Sequence, residues 1–319
     1  MEKIKFSTVI PVYNAEKFLE RCIDSVIGQD LEMSEIICID DGSTDSSQKI
    51  IETYCKTNKN IQYIKQKNQY AGTARNKGLH VARGNFVHFL DADDCLLPNV
   101  YKELYDFAVS LDADCIKFRS KCFSMKTGVE KSNEHKDYTC EFMKATDFGK
   151  LISIEDHPTE LIEASSHTPW SGIYKRSFLI DYKIEFNRLR CVNDRSFYIK
   201  VITNTQKIAY LDKYVVNHQI ENPDSLIGIR GDNFECQFSS FNMIRDYLRG
   251  IKSSIKNDIY KRILTMELTD LLIWYVYLSD IQKIRIREKL KDFFAELDWD
   301  EINKNEDLYS TIKKINILD

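Results

Sequence analysis

The sequence predicts an α/β fold, a mostly parallel sheet flanked by helices, with a helical extension at its C-terminal end. Three patterns carry this expectation. Short β-rich runs alternate with amphipathic helical runs over residues 6–120, as in a parallel sheet covered on both faces. Acidic clusters at 40–41 and 91–94 each close a strand. Beyond Asn233 the apolar residues recur at helical spacing.

Phe6–Pro11 is the first strand, and Asn14 is placed to cap a helix whose inner face carries Phe18, Leu19, Cys22, Ile23, Val26 and Ile27. Ile36–Ile39 is a buried strand that stops at Asp40-Asp41-Gly42. Ser43 to Asp45 caps the next helix, with Ile50, Ile51 and Tyr54 inward. Ile61–Ile64 is a third strand, Gly72 to Ala82 a helix, and Phe86–Leu90 a strand ending on Asp91. A helix with Val100, Leu104, Phe107 and Leu111 precedes a further strand at Cys115–Phe118. Residues 121–165 are polar and weakly periodic, an expected insertion or acceptor-side loop region. Three amphipathic helices then follow, around Phe238–Leu248, Ile263–Tyr275 and Ile281–Leu297. The expected organisation is a nucleotide-binding half over 1–120, an acceptor-side half over 121–230 and a helical region over 231–319.

A net charge of −4 argues against nucleic acid as a partner, which a basic excess would favour. The nine cysteines form no CxxC pair. Cys22, Cys38, Cys55 and Cys115 lie in apolar runs, where a free thiol acts as a small hydrophobe, and a reducing compartment fits them. Met1 to Pro11 runs straight into a strand without the apolar core of a leader. The longest apolar stretch, Ile263 to Leu278, is broken by Glu267 and Asp270 and is too short to span a bilayer. A cytoplasmic protein is expected, with peripheral contact at the inner face of the membrane left open.

Ligands of open α/β sheets bind beyond the carboxyl ends of the strands. Helix N-termini at that edge attract anions, so carboxylates gathered there call for a cation, or for hydroxyl and imide donors of a ligand. Asp91 and Asp93, one residue apart, are suited to turn toward one Mn2+ or Mg2+ that also takes diphosphate oxygens. A capped turn ahead of Leu96-Leu97-Pro98 accounts for them equally well when they are taken alone. Neither a Gly-x-Gly-x-x-Gly after the first strand nor a Gly-x-x-x-x-Gly-Lys loop is present, which excludes the common dinucleotide and NTP motifs.

Four segments change that balance together. Thr8 to Asn14 ends the first strand, Ile39 to Asp45 the second, Gly72-Thr73-Ala74-Arg75-Asn76-Lys77-Gly78 opens a helix, and Phe89 to Asp94 completes the set. In this order and spacing they resemble the family 2 glycosyltransferases of the GT-A fold, strongly over about the first 120 residues and more loosely over 168–226. The resemblance implies an inverting enzyme that moves a hexose or N-acetylhexosamine from a UDP-sugar to a hydroxyl of a glycan, glycolipid or glycoprotein, as in bacterial polysaccharide biosynthesis. Pro11, Val12 and Tyr13 then line the uridine pocket, and Asp41 accepts the uracil imide hydrogen. Asp40 supports the turn. Arg75 holds a base carbonyl or a diphosphate oxygen. Asp91 meets the ribose hydroxyls or the metal shell, Ala92 lies on the donor between the two carboxylates, and Asp93 is the direct metal ligand.

The second half supplies the remaining parts. Asn193-Asp194 is similar to the family's Glu-Asp segment, with Asn193 in place of the usual glutamate, and Asp194 is the expected general base. Trp170 is expected to stack on a sugar face or to pack, and Lys175 to be phosphate-facing or structural. His218 is the late histidine that completes a metal shell in some GT-A enzymes. The rival reading is a catalytically weak or inactive relative that binds UDP-sugar or glycan as a partner subunit. The basic run Lys283, Arg285, Arg287, Lys289 and Lys291 is interleaved with Glu288, Asp292 and Glu296, which favours a solvated face. Packing on the catalytic domain, homo-oligomerisation and a membrane surface are the three expected uses of the last helices.

Overall fold

The computed structural model describes residues 4–124, 148–164, 167–220, 230–302 and 308. The chain divides into two compact units, one of residues 1–188 with 193–222 and one of residues 189–192 with 223–319.

The first unit begins as the alternation predicts. Strands β1 (Phe6–Val12), β2 (Ser34–Asp40), β3 (Ile61–Lys65) and β4 (Phe86–Phe89) are joined by helices α1 (Leu19–Ile27), α2 (Ser47–Thr57) and α3 (Tyr70–Val81). These four strands are mutually parallel. Then come β5 (Cys95–Leu96), α4 (Tyr101–Ser110), β6 (Cys115–Ser124), β7 (Leu151–Ile152), β8 (Gly172–Lys175), α5 (Arg176–Asp181), α6 (Arg195–Asn204) and β9 (Ile208–Ile220). Among the described residues the sheet has nine strands, in the order β3-β2-β1-β4-β8-β6-β9-β5, with β7 paired to β9. Strand β8 runs antiparallel to both β4 and β6. The α/β fold expected from the sequence, a sheet with a parallel block flanked by helices, is therefore the fold found, with antiparallel strands added on one side of that block.

Strand register and one glycine position the site. Val12 is in register with Asp40, and Val9 with Phe89, so β1, β2 and β4 all deliver their carboxyl ends to one edge. Helix α3 lies against β1 because position 78 has no side chain: a Cβ there would sit 2.2 Å from a Val9 methyl carbon. The opposite edge is closed by Glu35, whose carboxylate accepts from Ser7 Oγ at 2.7 Å and from the Arg83 guanidinium at 2.6 Å.

Asn14 does not cap α1. It has a φ of 49°, the helix starts at Leu19, and the Asn14 side chain instead accepts from the backbone N–H of Thr44 at 2.8 Å, tying the first loop to the second. The polar region at 121–165 is not loop throughout, since β6 extends to Ser124, and β7 and a π-helical turn at Thr159–Ala164 lie within it; residues 125–147 lie outside the described residues.

The second unit contains the three expected C-terminal helices, α7 (Glu235–Gly250), α8 (Asn257–Val276) and α9 (Asp280–Ala295). Their core is apolar and aromatic, with Phe241, Leu264, Leu268, Leu272 and Leu290 at 2% exposure or less. Glu301 fastens it by accepting from Tyr260 Oη at 2.6 Å and from Arg249 Nη2 at 2.7 Å. Among the described residues no helix is long and apolar enough to cross a membrane. The described cysteines are free thiols.

Candidate active site

The site is assembled on the carboxyl ends of β1, β2 and β4. Past β1, Val12 is buried while Tyr13 is 53% exposed, so Tyr13 is not consumed by packing beside α1. At the end of β2 the two aspartates take different duties. Asp40 accepts from the backbone N–H of Ser43 at 2.7 Å and from Tyr63 Oη at 3.0 Å, as a turn support does. Asp41 is 3% exposed, and its Oδ1 accepts from Gln66 Nε2 at 2.7 Å and from the Gln69 N–H at 2.8 Å. Those bonds aim the carboxylate and leave Oδ2 without a hydrogen bond from the described residues.

After β4 the chain makes a tight turn, with the Asp94 N–H donating to Asp91 O at 3.0 Å. Helix α1 grips this turn from below. Arg21 Nη2 donates to Asp93 O at 2.9 Å, and Cys22 Sγ lies 3.6 Å from Asp91 O. One turn on, Ser25 Oγ accepts from the Leu96 N–H and Gln29 Oε1 from the Val100 N–H, each at 3.0 Å. The carbonyls of Asp91 and Asp93 are thus occupied by the protein. Arg21, Ser25 and Gln29 were not legible as functional, because polar residues spaced 3–4 apart on an amphipathic helix read as its solvent face.

Arg75 differs from expectation. It is 5% exposed, and its fork donates to Asp91 Oδ1 at 2.6 Å and to Asn193 Oδ1 at 2.8 Å. Its two terminal nitrogens are thereby bonded within the protein, while Nε has no hydrogen-bond partner among the described residues. It fixes the first carboxylate of the acidic turn and holds the neighbour of Asp194. Gly72 permits this join: a Cβ there would meet Asn187 O at 2.2 Å, so α3 presses directly on Asn187 and Asn193. Asn193, where the resemblance implied glutamate, accepts from Arg75 without adding a second negative charge beside Asp91.

Asp194 lies at the start of α6, preceded by Val192 at a φ of 51°, an outlier for a β-branched residue. It stands at the N-cap position of α6, but its side chain makes no capping hydrogen bond. Among residues 191–199 it alone is not buried. An acid with no structural partner among the described residues, at the mouth of an otherwise packed segment, is free to meet a ligand.

A second cluster backs the turn. Asp94 is fully buried, and its Oδ1 accepts from His218 Nδ1 and from the Gln219 N–H, both at 2.8 Å. Among the described residues Asp94 Oδ2 has no hydrogen-bond partner. Burial opposes charge on His218, but the Asp94 carboxylate overrides it and Asp93 and Asp91 add to the effect, so the imidazole pKa rises to about 9. Trp170 is stacked on the His218 ring, centroids 4.5 Å apart and 16° from parallel. The Trp170 carbonyl accepts from His88 Nε2 at 2.9 Å, and His88 Nδ1 lies 3.0 Å from Tyr101 Oη, itself 2.7 Å from Thr8 Oγ1. His88 is held neutral by burial, with its pKa lowered to about 4. A neutral ring donating from Nε2 must accept at Nδ1, so Tyr101 donates to His88 and Thr8 to Tyr101. Asp94 and His88 were missed as site supports because their partners are distant in sequence.

Lys175 is the one candidate that the fold removes from this edge. Because β8 runs antiparallel to β4, Lys175 pairs with Phe86 at the end of β4 opposite Asp91. Its ammonium bonds Asp112 at 2.7 Å instead of facing a phosphate.

The model of Glycosyl transferase family 2 matches residues 7–180, more than half of the chain. The chain belongs to that family. It is 30% identical over 222 residues to glycosyltransferase GlyA of Streptococcus pneumoniae serotype 4, covering 68% of this chain and 30% of that protein. It is 28% identical over 229 residues to the uncharacterized glycosyltransferase EpsJ of Bacillus subtilis, covering 70% of this chain and 63% of that one. The matches thus span less than two thirds of these relatives' own length. Among solved structures, S. aureus TarS 1–349 in complex with UDP-GlcNAc shares the fold at a TM-score of 0.73 and 20% identity, over 98% of this chain and 88% of that chain. A mannosyltransferase of Pyrobaculum calidifontis in complex with GDP-Man and Mn2+ matches more distantly, at a TM-score of 0.52 and 13% identity, over 99% of this chain and 88% of that chain. The strand-end carboxylates Asp41, Asp91 and Asp93 lie within the region that the family model matches, and Asn193, Asp194 and His218 lie beyond it.

Proposed function

We propose that this glycosyltransferase inverts configuration while moving a hexose or N-acetylhexosamine from a UDP-sugar to the hydroxyl of a glycan, glycolipid or glycoprotein. The observation that carries the reading is the Arg75 bridge. One buried guanidinium ties Asp91, in the turn suited to the donor diphosphate, to Asn193, the neighbour of Asp194, whose carboxylate has no partner among the described residues. Donor and acceptor chemistry are thereby set at a fixed separation, as a direct displacement requires.

Asp41 is oriented to accept the uracil imide hydrogen through Oδ2, with Pro11, Val12 and the exposed Tyr13 beside the base. Among the described residues no three His, Cys, Asp or Glu side chains form a ready-made metal shell. The donor set nevertheless suits Mn2+ or Mg2+, which are held by one or two carboxylates and complete their shell with substrate phosphates. Asp93 would hold the ion, with the outer face of Asp91 beside it and Ala92 giving the diphosphate room. His218 is backed by a carboxylate at Nδ1, the usual arrangement behind a histidine that binds metal through its other nitrogen. When bound, the cation offsets the charge that develops on departing UDP.

The protein's own part is to orient and to move one proton. Arg75 and α1 hold the acidic turn so that its carboxylates point at the diphosphate without rearrangement. Asp194 takes the proton from the acceptor hydroxyl as that oxygen attacks the anomeric carbon from the side opposite UDP. Trp170, 7% exposed and stacked on His218, takes the packing role of its two expected ones and supports His218 from behind.

Two variants separate the roles. Asp93→Ala should weaken metal-dependent UDP binding measured by calorimetry. Asp194→Asn should leave that binding within about twofold and lower transfer by roughly 10²–10⁴. Equal loss of UDP binding in both would overturn the assignment of Asp194 as base.

A further inference from the structure

The second unit carries a surface that the glycosyl-transfer reading does not use. Three large hydrophobic residues of the described chain are more than 60% exposed, and all three lie at the α8–α9 corner: Tyr277 at 78%, Ile281 at 81% and Ile284 at 76%. Ile281 and Ile284 are three residues apart and share one helix face. They are not the inner face of α9, which buries Ile286, Leu290 and Phe293 at 5% exposure or less. Trp274 adjoins the corner, edge-on to Tyr277 with centroids 6.5 Å apart, and Ile273 is 42% exposed on the same last turns of α8. A capping box at Ser279 and Gln282 fixes the corner, so this is a rigid apolar projection and not a frayed end.

The flanks are cationic. Between residues 280 and 292 stand five cations, Lys283, Arg285, Arg287, Lys289 and Lys291, against three anions. Glu288 is paired with Lys291 at 3.2 Å, Glu235 with Lys289 at 2.6 Å and Asp232 with Arg285 at 3.6 Å, and Arg285 Nη2 also donates to the carbonyls of Gly231 and Asp232, so Lys283 and Arg287 are the flank cations without an ion pair among the described residues. Exposed isoleucines tipped by Trp and Tyr and ringed by Lys and Arg match the two halves of a bilayer interface, acyl chains below and anionic headgroups around. A second copy of the same corner would bring these cations against one another.

We infer that the α8–α9 corner is a membrane-docking surface that inserts Tyr277, Ile281 and Ile284 into the interface of an anionic bilayer. The basic flank supplies attraction to headgroups, and the apolar tip supplies depth. The inference is independent of the donor assignment, because none of these residues lies in the first unit.

The test is flotation of the full chain with vesicles of phosphatidylcholine containing about one third phosphatidylglycerol, beside vesicles of phosphatidylcholine alone. The chain should float with the anionic vesicles, lose this in high salt, and bind at least tenfold more weakly as the Ile281→Ser/Ile284→Ser variant. Arg287→Gln/Lys291→Gln should weaken anionic binding with the apolar tip intact. Circular dichroism and light scattering of each variant, without lipid, should match the wild type in fold and mass. Absence of flotation, equal flotation of the serine variant, or equal binding to neutral vesicles would overturn the inference. So would a wild-type dimer that the serine substitutions convert to monomer, which would assign the corner to a second copy.

Discussion

Gly72→Ala probes the join between the acidic turn and the segment carrying Asp194. The added methyl would stand 2.2 Å from the Asn187 carbonyl oxygen and 3.1 Å from Asn193 Cβ. Ordinary contact lies near 3.5 Å, so the Asn187 carbonyl must retreat by roughly 1.3 Å and Asn193, next to Asp194, by roughly 0.4 Å, or α3 must shift by a like amount. Overpacking of this kind costs about 1–3 kcal/mol, which for a unit of this size lowers Tm by roughly 5 °C. A displacement of about 1 Å at a reacting group costs on the order of 100-fold in rate. Steady-state release of UDP from the active donor should therefore show kcat down about 100-fold, while the UDP Kd, which the proposed function assigns to Asp41 and the β1 loop, changes far less. Wild-type kcat with wild-type Tm would refute the close packing. A loss in UDP affinity equal to the loss in kcat would refute the assignment of this join to the acceptor side.

Other consequences can be checked with the same material. Arg75→Met leaves Asp91 and Asn193 facing an apolar tip, and breaking such a pair costs about 3 kcal/mol in urea unfolding, at the low end because the Asp91 side chain is 29% exposed. Arg75→Lys keeps the charge but not the fork, and should recover only part of that loss. His218, with its pKa raised to about 9, should contribute stability that is complete below its unfolded value near 6.5 and lost as pH rises from there through 9. That contribution is on the order of 2 kcal/mol for the ligand-free protein, and Asp94→Asn should flatten the slope of stability between pH 6.5 and 9; an unchanged slope would show that another group titrates there.

The strand-end half of this picture was legible because it is local. The alternation of 6–120 requires a parallel block, and a parallel block brings residues 12–13, 40–41 and 91–94 to one edge whatever the remaining packing. Lys175 was misplaced because its motif carries residue types and not strand direction; β8 turned antiparallel and moved it to the far edge. Arg75 was legible as important through the glycines around it, yet its partner Asn193 is 118 residues away, so its use inside the protein was invisible. Asp94 read as one more turn residue for the same reason, with His218 124 residues distant. The supports on α1, Arg21, Ser25 and Gln29, carry no signal in a helical wheel, since bonding to a neighbouring backbone and facing water call for the same residue types.

The proposed uridine diphosphate site is built on Asp41 and the Asp91–Asp94 turn. It is tested most directly by thermal unfolding of the chain with UDP, GDP and CDP, each with and without Mn2+. A ligand at 100 times its Kd stabilises the folded state by about 2.7 kcal/mol. UDP with Mn2+ should raise Tm by several degrees, and Asp41→Ala should abolish the rise. A larger shift with GDP or CDP than with UDP, or a UDP shift that survives Asp41→Ala, would contradict the account.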